Sequence, residues 1–217
     1  MKRILLLFII YVCFFHSKAQ VQPGIFGGLH LSSAMYSVSS TKQSTNFKYG
    51  VHAGIECKIP FENRLSFTPA VGYRLMGYKV IFNTPSYPPD ILARNNNTSF
   101  HEADVDLLFQ FDLSKNPKHF FVKAGPSFDF ILFGREKFDL LTGQHVERNM
   151  KFSVLDSYGR YDAAAVVQLG YETSAGFTVS ADYVQGLFSM NNEDNGPTIK
   201  NYLIGITFGK LLRPKKK

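Results

Sequence analysis

One stretch constrains the fold more than any other. Residues 98–135 read TSFHEADVDLLFQFDL, then a break SKNPK, then HFFVKAGPSFDFILFGR. Both arms alternate apolar and polar residues with a period of two, the side-chain period of a β-strand. In the first arm His101, Ala103, Val105, Leu107, Phe109 and Phe111 share one face, and Glu102, Asp104, Asp106, Gln110 and Asp112 share the other. In the second, Phe120, Val122, Ala124, Phe128, Phe130 and Leu132 oppose Lys123, Ser127, Asp129 and Arg135. Each apolar face is continuous over a membrane-scale length, while the opposite face carries charge of both signs. A soluble sandwich rarely needs so long an apolar face. A transmembrane β-barrel does, and it turns the charged face to its lumen.

The N-terminus fits an exported chain. Lys2 and Arg3 precede an apolar run over residues 4–15, and Ser17-Lys18-Ala19 makes a small-x-small cleavage site, so residues 1–19 read as a secretory signal. Removing it leaves Cys57 alone, which rules out an intramolecular disulfide and leaves a small buried hydrophobe as the expected role. No later segment approaches the ~18 consecutive apolar residues of a membrane helix, so a membrane location requires a closed barrel. Loss of Lys2, Arg3 and Lys18 lowers the formal charge from +7, and much of the remaining excess sits in Arg213 and Lys215 to Lys217. No basic stripe with interleaved aromatics runs through the body, which argues against nucleic-acid binding. The composition is 15% aromatic, all Phe and Tyr with no Trp, and favours strands.

Alternation predicts eight strands, at residues 23–35, 47–59, 64–82, 98–112, 119–134, 158–172, 176–185 and 198–209. The connections between them alternate long and short: 37–46, 60–63, 83–97, 113–118, 135–157, 173–175 and 186–197. The expected fold is therefore all-β, an eight-stranded antiparallel up-and-down transmembrane barrel with short periplasmic turns and long outer loops. A barrel domain over 20–209 and a basic tail over 210–217 complete the expected organisation. Outward Tyr49, Tyr73, Tyr161, Tyr171, Tyr183 and Tyr202 suit interface girdles.

The opening Pro23-Gly24-Ile25-Phe26-Gly27-Gly28-Leu29, the strand Gly50-Val51-His52-Ala53-Gly54-Ile55 and the segment Val122-Lys123-Ala124-Gly125-Pro126 resemble the outer-membrane β-barrel family of the Bacteroidetes, the PorT-like group. The Ser17-Lys18-Ala19-Gln20 junction and the closing strand over 202–208 add to the resemblance. It departs at Glu102-Ala103-Asp104-Val105, where the family often reads Glu-Ile-Pro-Leu, and in a tail that continues past Phe208. The resemblance implies an outer-membrane location and, for some members, association with protein secretion. It implies no activity.

The expected lumen collects Glu56, Arg74, Glu102, Asp104, Asp106, Lys123, Asp129, Arg160, Asp162, Glu172 and Asp182, with Lys48 nearby. An eight-stranded barrel is just wide enough for side chains to fill, so these charges read as a structural, hydrogen-bonded plug. A proton or ion path through Asp104, Asp106 and Arg74 is the sharper alternative. His30, His52 and His101 with Ser32 and Ser99 offer the residue types of a lipase-like set, but their spacing defines no nucleophile–base pair. The loop Asn191-Asn192-Glu193-Asp194-Asn195-Gly196 imitates a calcium loop without the twelfth-position acid and reads as a solvated turn. No catalytic, cofactor or metal residue is expected. The expected partners are outer-membrane lipid and an envelope or secretion protein, with the barrel monomeric. The alternatives are a lipid-modifying barrel enzyme and a soluble lipocalin-like barrel with its apolar face inward.

Overall fold

The computed structural model describes residues 21–212 apart from Pro85 and Asp156; the expected signal and the end of the basic tail lie outside that range. The strands are β1 (Gln22–Val38), β2 (Thr41–Lys42), β3 (Ser44–Asn46), β4 (Lys48–Glu62), β5 (Leu65–Ile81), β6 (Asn95–Asp112), β7 (His119–Asp139), β8 (His145–Asn149), β9 (Tyr161–Glu172), β10 (Phe177–Gly186) and β11 (Thr198–Leu211). Eight of them form the wall, in the order β11-β10-β9-β7-β6-β5-β4-β1. β1 then pairs antiparallel with β11, from Gly24↔Leu211 to Ser37↔Thr198, and closes the sheet on itself. Closure removes the free edges whose unpaired amides and carbonyls hydrocarbon would not tolerate.

Alternation decides what faces where. Ile55 is 61%, Phe120 64% and Phe208 62% exposed on the outer wall, whereas Asp104 and Glu172 are almost completely buried inside. This is the reverse of a soluble lipid-binding barrel, and it overturns that alternative. The expected girdle tyrosines, Tyr49, Tyr73, Tyr161, Tyr171, Tyr183 and Tyr202, sit at exposed or half-buried outward positions. Cys57 does too: it is half-buried on the outer wall of β4 rather than in a core.

The short turns lie at one end. In the one at Thr173, Gly176 takes φ +82° and its amide donates to the Thr173 carbonyl at 2.9 Å. Positive φ is costly for any residue with a Cβ, so glycine belongs there.

Two departures from the sequence reading lie on β7. First, the β6–β7 ladder slips between His101↔Phe133 and Glu102↔Ile131, leaving one extra residue on β7. A bulge of this kind breaks the period of two. Leu132 and Phe133 are consequently both exposed, and Arg135, expected inside, points outward with its side chain 69% exposed. Second, residues 135–157 are not simply a loop. β7 continues to Asp139 and β8 folds back on it, from Arg135↔Asn149 to Asp139↔His145. The extension keeps strand alternation, with Glu136 and Phe138 buried and Arg135 and Lys137 exposed. It carries the sheet about 17 Å beyond Gly134.

The apolar core sits at this long-loop end. Tyr36, Tyr78, Phe100, Phe138 and Tyr158 are fully buried together, with Met150 and Met190 beside them. The barrel therefore has a charged middle and turn end, and an apolar cap.

Candidate functional site

The lumen is a stack of polar clusters, each assembled from several strands. At the turn end Lys58 of β4 reaches across to Asp112 Oδ2 at 3.0 Å and Glu172 Oε2 at 2.9 Å. His119 Nε2 lies 3.1 Å from Asp112 Oδ1 and 3.5 Å from Glu172 Oε2. One step inward, Lys123 bonds Glu56 at 2.6 Å.

The centre is built on Arg74. Its guanidinium lies 3.0 Å from Asp106, 3.2 Å from Asp104, 3.2 Å from Asp129 and 3.7 Å from Glu102. A guanidinium suits this position because its planar fork presents donors in several directions from one fixed charge. Gly72 makes room: a Cβ there would stand 2.7 Å from Asp104 Oδ2. Ser127 donates to Asp129 at 2.6 Å. Asp162 lies directly across the β7–β9 ladder from Asp129 and accepts the Ala163 amide at 2.7 Å.

Beside this centre runs a row of hydrogen-bonding groups. His30 Nε2 meets the Leu75 carbonyl at 3.1 Å, and its Nδ1 meets His52 Nδ1 at 3.1 Å. His52 Nε2 meets Thr207 Oγ1 at 2.6 Å, and Thr207 donates to Asp182, which also accepts from Ser180 at 2.7 Å.

The cap closes the other end. Glu136, fully buried, accepts from Arg148 Nε at 2.6 Å and from the Tyr158 hydroxyl at 2.9 Å. Arg148 also donates to the Pro89 carbonyl at 2.6 Å, and Tyr36 to the Pro88 carbonyl at 2.9 Å, tying the 83–94 segment onto the barrel mouth. The cavity bordered by Glu56, Asp106, Lys123, Gln168 and Thr207 measures about 30 Å³, room for roughly one or two waters.

Of the residues singled out from sequence, Glu56, Arg74, Glu102, Asp104, Asp106, Lys123, Asp129, Asp162, Glu172 and Asp182 face the interior. Arg160 does not. It precedes β9, is exposed, and donates to the Ile131 and Leu132 carbonyls at 3.1 and 2.9 Å, holding the bulged segment. The strand that alternation places at 158–172 begins three residues later, at Tyr161. Lys58, Asp112 and His119 join the cluster beyond the residues singled out; each shares the parity of a lumen residue, Glu56, Asp104 and Lys123 in turn, and that parity is the signal for them.

The lipase-like set does not assemble. Ser32 donates to the Gly77 carbonyl at 2.8 Å, Ser99 accepts from Lys48, and His101 faces outward, bonded to Tyr73 and stacked 4.3 Å from Phe133. The 191–196 loop closes on itself, with the Glu193 amide on Asn191 Oδ1 at 3.1 Å.

Among solved structures the chain is similar to Ail of Yersinia pestis, with 14% identity, TM-score 0.42, and coverage of 88% of this chain and 99% of that one. It is also similar to Neisserial surface protein A, with 10% identity, TM-score 0.46, and 87% and 96% coverage. A third is OprG of Pseudomonas aeruginosa, with 8% identity, TM-score 0.43, and 90% and 98% coverage. No curated protein matches the chain. With its wall closed, its apolar face outward and residues 16–192 matching the outer membrane protein beta-barrel domain, the chain belongs to that family and resides in the outer membrane.

Proposed function

We propose that the protein is a non-enzymatic outer-membrane anchor, a PorT-like monomeric barrel of the Bacteroidetes type. Its rigid outer platform engages an envelope or secretion-system protein. The carrying observation is the way the long connections are fused. The Arg94 amide donates to the Asp139 carbonyl at 2.8 Å, and the Leu141 amide to the Leu92 carbonyl at 2.8 Å. Asn95 clasps Asp139 Oδ2 at 2.8 Å. The 83–94 segment and the β7–β8 hairpin thus form one projecting unit. At its tip Ile91 is 69%, Leu141 60% and Leu92 43% exposed. Apolar side chains held rigidly outside the membrane favour a protein partner, because fixing them in advance removes the ordering cost of binding.

In this reading the lumen charges are a structural plug. The small interior cavity and the buried cap argue against solute passage.

The test is in-cell crosslinking of a variant carrying Ile91→Ser, Leu92→Ser and Leu141→Ser. The expected result is loss of the crosslinked partner while the unboiled protein still migrates as a folded barrel. An unchanged set of partners counts against the reading.

A further inference from the structure

At the turn end of the lumen three potential ligands converge from neighbouring staves: Asp112 at the end of β6, His119 at the start of β7 and Glu172 at the end of β9. His119 and Glu172 are direct cross-strand partners. One ligand atom from each lies within 4.8 Å of the others.

The histidine is the informative member. Its Nδ1 lies 2.8 Å from the Asn116 carbonyl, which can only accept, so Nδ1 carries the proton. In the neutral ring Nε2 is then a lone pair. That atom is buried, in a residue only 8% exposed, and makes no hydrogen bond. It points nonetheless at two carboxylates, 3.1 Å from Asp112 Oδ1 and 3.5 Å from Glu172 Oε2. Lys58 Nζ reaches both oxygens, 3.3 Å from Asp112 Oδ1 and 2.9 Å from Glu172 Oε2, and Gln110 donates to Asp112 Oδ1 at 2.6 Å, so Nε2 is the atom of the three left without a partner. A backbone carbonyl fixing the far nitrogen is also how metal-bound imidazoles are oriented.

Lys58 lies 3.0 Å from Asp112 Oδ2 and 2.9 Å from Glu172 Oε2, so the two carboxylates already draw a cation to this corner of the lumen. The carboxylate oxygens are not placed to share a hydrogen bond with Nε2. A metal ion needs no single axis. Zinc bonds of ~2.0–2.1 Å in a tetrahedron set donor atoms roughly 3.3–3.5 Å apart, close to the two spacings here.

We infer that Asp112, His119 and Glu172 form a site for a divalent first-row transition metal of the Zn²⁺ class, open to the periplasmic mouth. One imidazole with two carboxylates suits Zn²⁺ better than the all-oxygen shells of Ca²⁺ or Mg²⁺. Bound metal staples β6, β7 and β9 where the sheet ends. Lys58 shares the Glu172 oxygen and therefore competes with the ion, swinging towards Asp112 on binding. The site is independent of the outer platform and of any partner there.

The experiment is calorimetric titration of Zn²⁺ into the full chain, refolded, chelator-treated and checked for heat-modifiable migration. The wild type is expected to bind about one equivalent. His119→Gln is expected to weaken binding at least about tenfold, Lys58→Met to tighten it, and Asp182→Asn, elsewhere in the lumen, to leave it unchanged. A second readout on unmutated protein is the visible spectrum with Co²⁺, in which intense bands report a tetrahedral site. Absence of stoichiometric binding in the folded wild type, or His119→Gln binding as tightly as wild type, overturns the inference and leaves an ion-pair cluster centred on Lys58.

Discussion

His30 and His52 meet nitrogen to nitrogen, with Nδ1 atoms 3.1 Å apart and ring centroids separated by 5.3 Å. The contact belongs to a row of four links: Leu75 carbonyl to His30, His30 to His52, His52 to Thr207, and Thr207 to Asp182. Each link needs one proton. Two neutral imidazoles and one hydroxyl bring three, because a neutral ring carries one N–H and an ionised carboxylate none. The row closes only when it holds a further proton. Asp182→Asn supplies that proton permanently through its amide, while its oxygen can still accept from Ser180. Its folded barrel is therefore expected to resist urea at least as well as wild type, whereas Asp182→Ala, which strands Thr207 and Ser180, should lose about 1–3 kcal/mol. Equal losses in both variants would show that the row does not act as a unit.

The same histidine pair explains one glycine and not another. A Cβ on Gly50 would stand 2.1 Å from His30 Nε2 and 2.2 Å from the Leu75 carbonyl oxygen, a backbone atom that cannot swing away. On the outward face, a Cβ on Gly27 meets nothing nearer than the His52 carbonyl oxygen at 3.4 Å. Gly50→Ala is expected to cost about 1–3 kcal/mol, the range for overpacking, and to disturb both imidazole signals in the nitrogen NMR spectrum. Gly27→Ala should do neither. A Gly50→Ala barrel with wild-type unfolding and spectra would contradict the placement of His30.

How far the sequence disclosed this structure depends on the range of the rule being read. Alternation is local, so it located the eight staves and put Asp104 inside and Val105 outside without further information. It failed where the chain changes parity. The extra residue near Leu132 turned Arg135 outward, and no residue type there announces a bulge. The β7–β8 extension was hidden because Arg135, Glu136 and Lys137 are charged in succession, which resembles a solvated loop until Glu136 is seen buried against Arg148 and Tyr158. Which lumen charges meet is a matter of closure, not of local pattern. Lys58 and Glu172 are 114 residues apart and touch only because β1 joins β11. His119 was missed for a simpler reason: it is the first residue after the break over 114–118, where a strand's parity is hardest to anchor.

Among the described residues, Arg74 is the one cation that pairs with Glu102, Asp104, Asp106 and Asp129. Removing a partner from a buried charge cluster leaves uncompensated charge and typically costs about 3–5 kcal/mol. Arg74→Met is therefore expected to lower the urea midpoint of the folded band strongly. Arg74→Lys should recover only part of the loss, since a point charge cannot serve four carboxyls as a fork does. Neither variant should conduct ions in planar bilayers, because the cap of Tyr36, Tyr78, Phe138 and Tyr158 lies above the cluster and is untouched. A conductance step on substituting Arg74 alone would mean that the charge cluster, and not the cap, seals the barrel.

The outer hairpin carries its own pH dependence. Asp139 is held below the usual carboxylate range, first by the hydrogen bond from Asn95 and then by that from His145. Glu147 is held down in the same direction, chiefly by Lys137. A carboxyl whose value is depressed on folding stabilises the folded form fully above its unfolded value, and that contribution fades as pH falls towards the folded value. The hairpin should thus be unaffected between neutrality and about pH 5, then loosen below about pH 4. Both groups are exposed, so the change is local and the barrel wall does not take part. Hydrogen exchange at the Val146 and Arg148 amides, followed through this range, is the measurement. Asn95→Ala should move the onset of faster exchange to higher pH, because it removes the largest influence on Asp139. Protection that stays constant as pH falls from about 5 to about 3 would mean that the two carboxylates do not account for the stability of the platform.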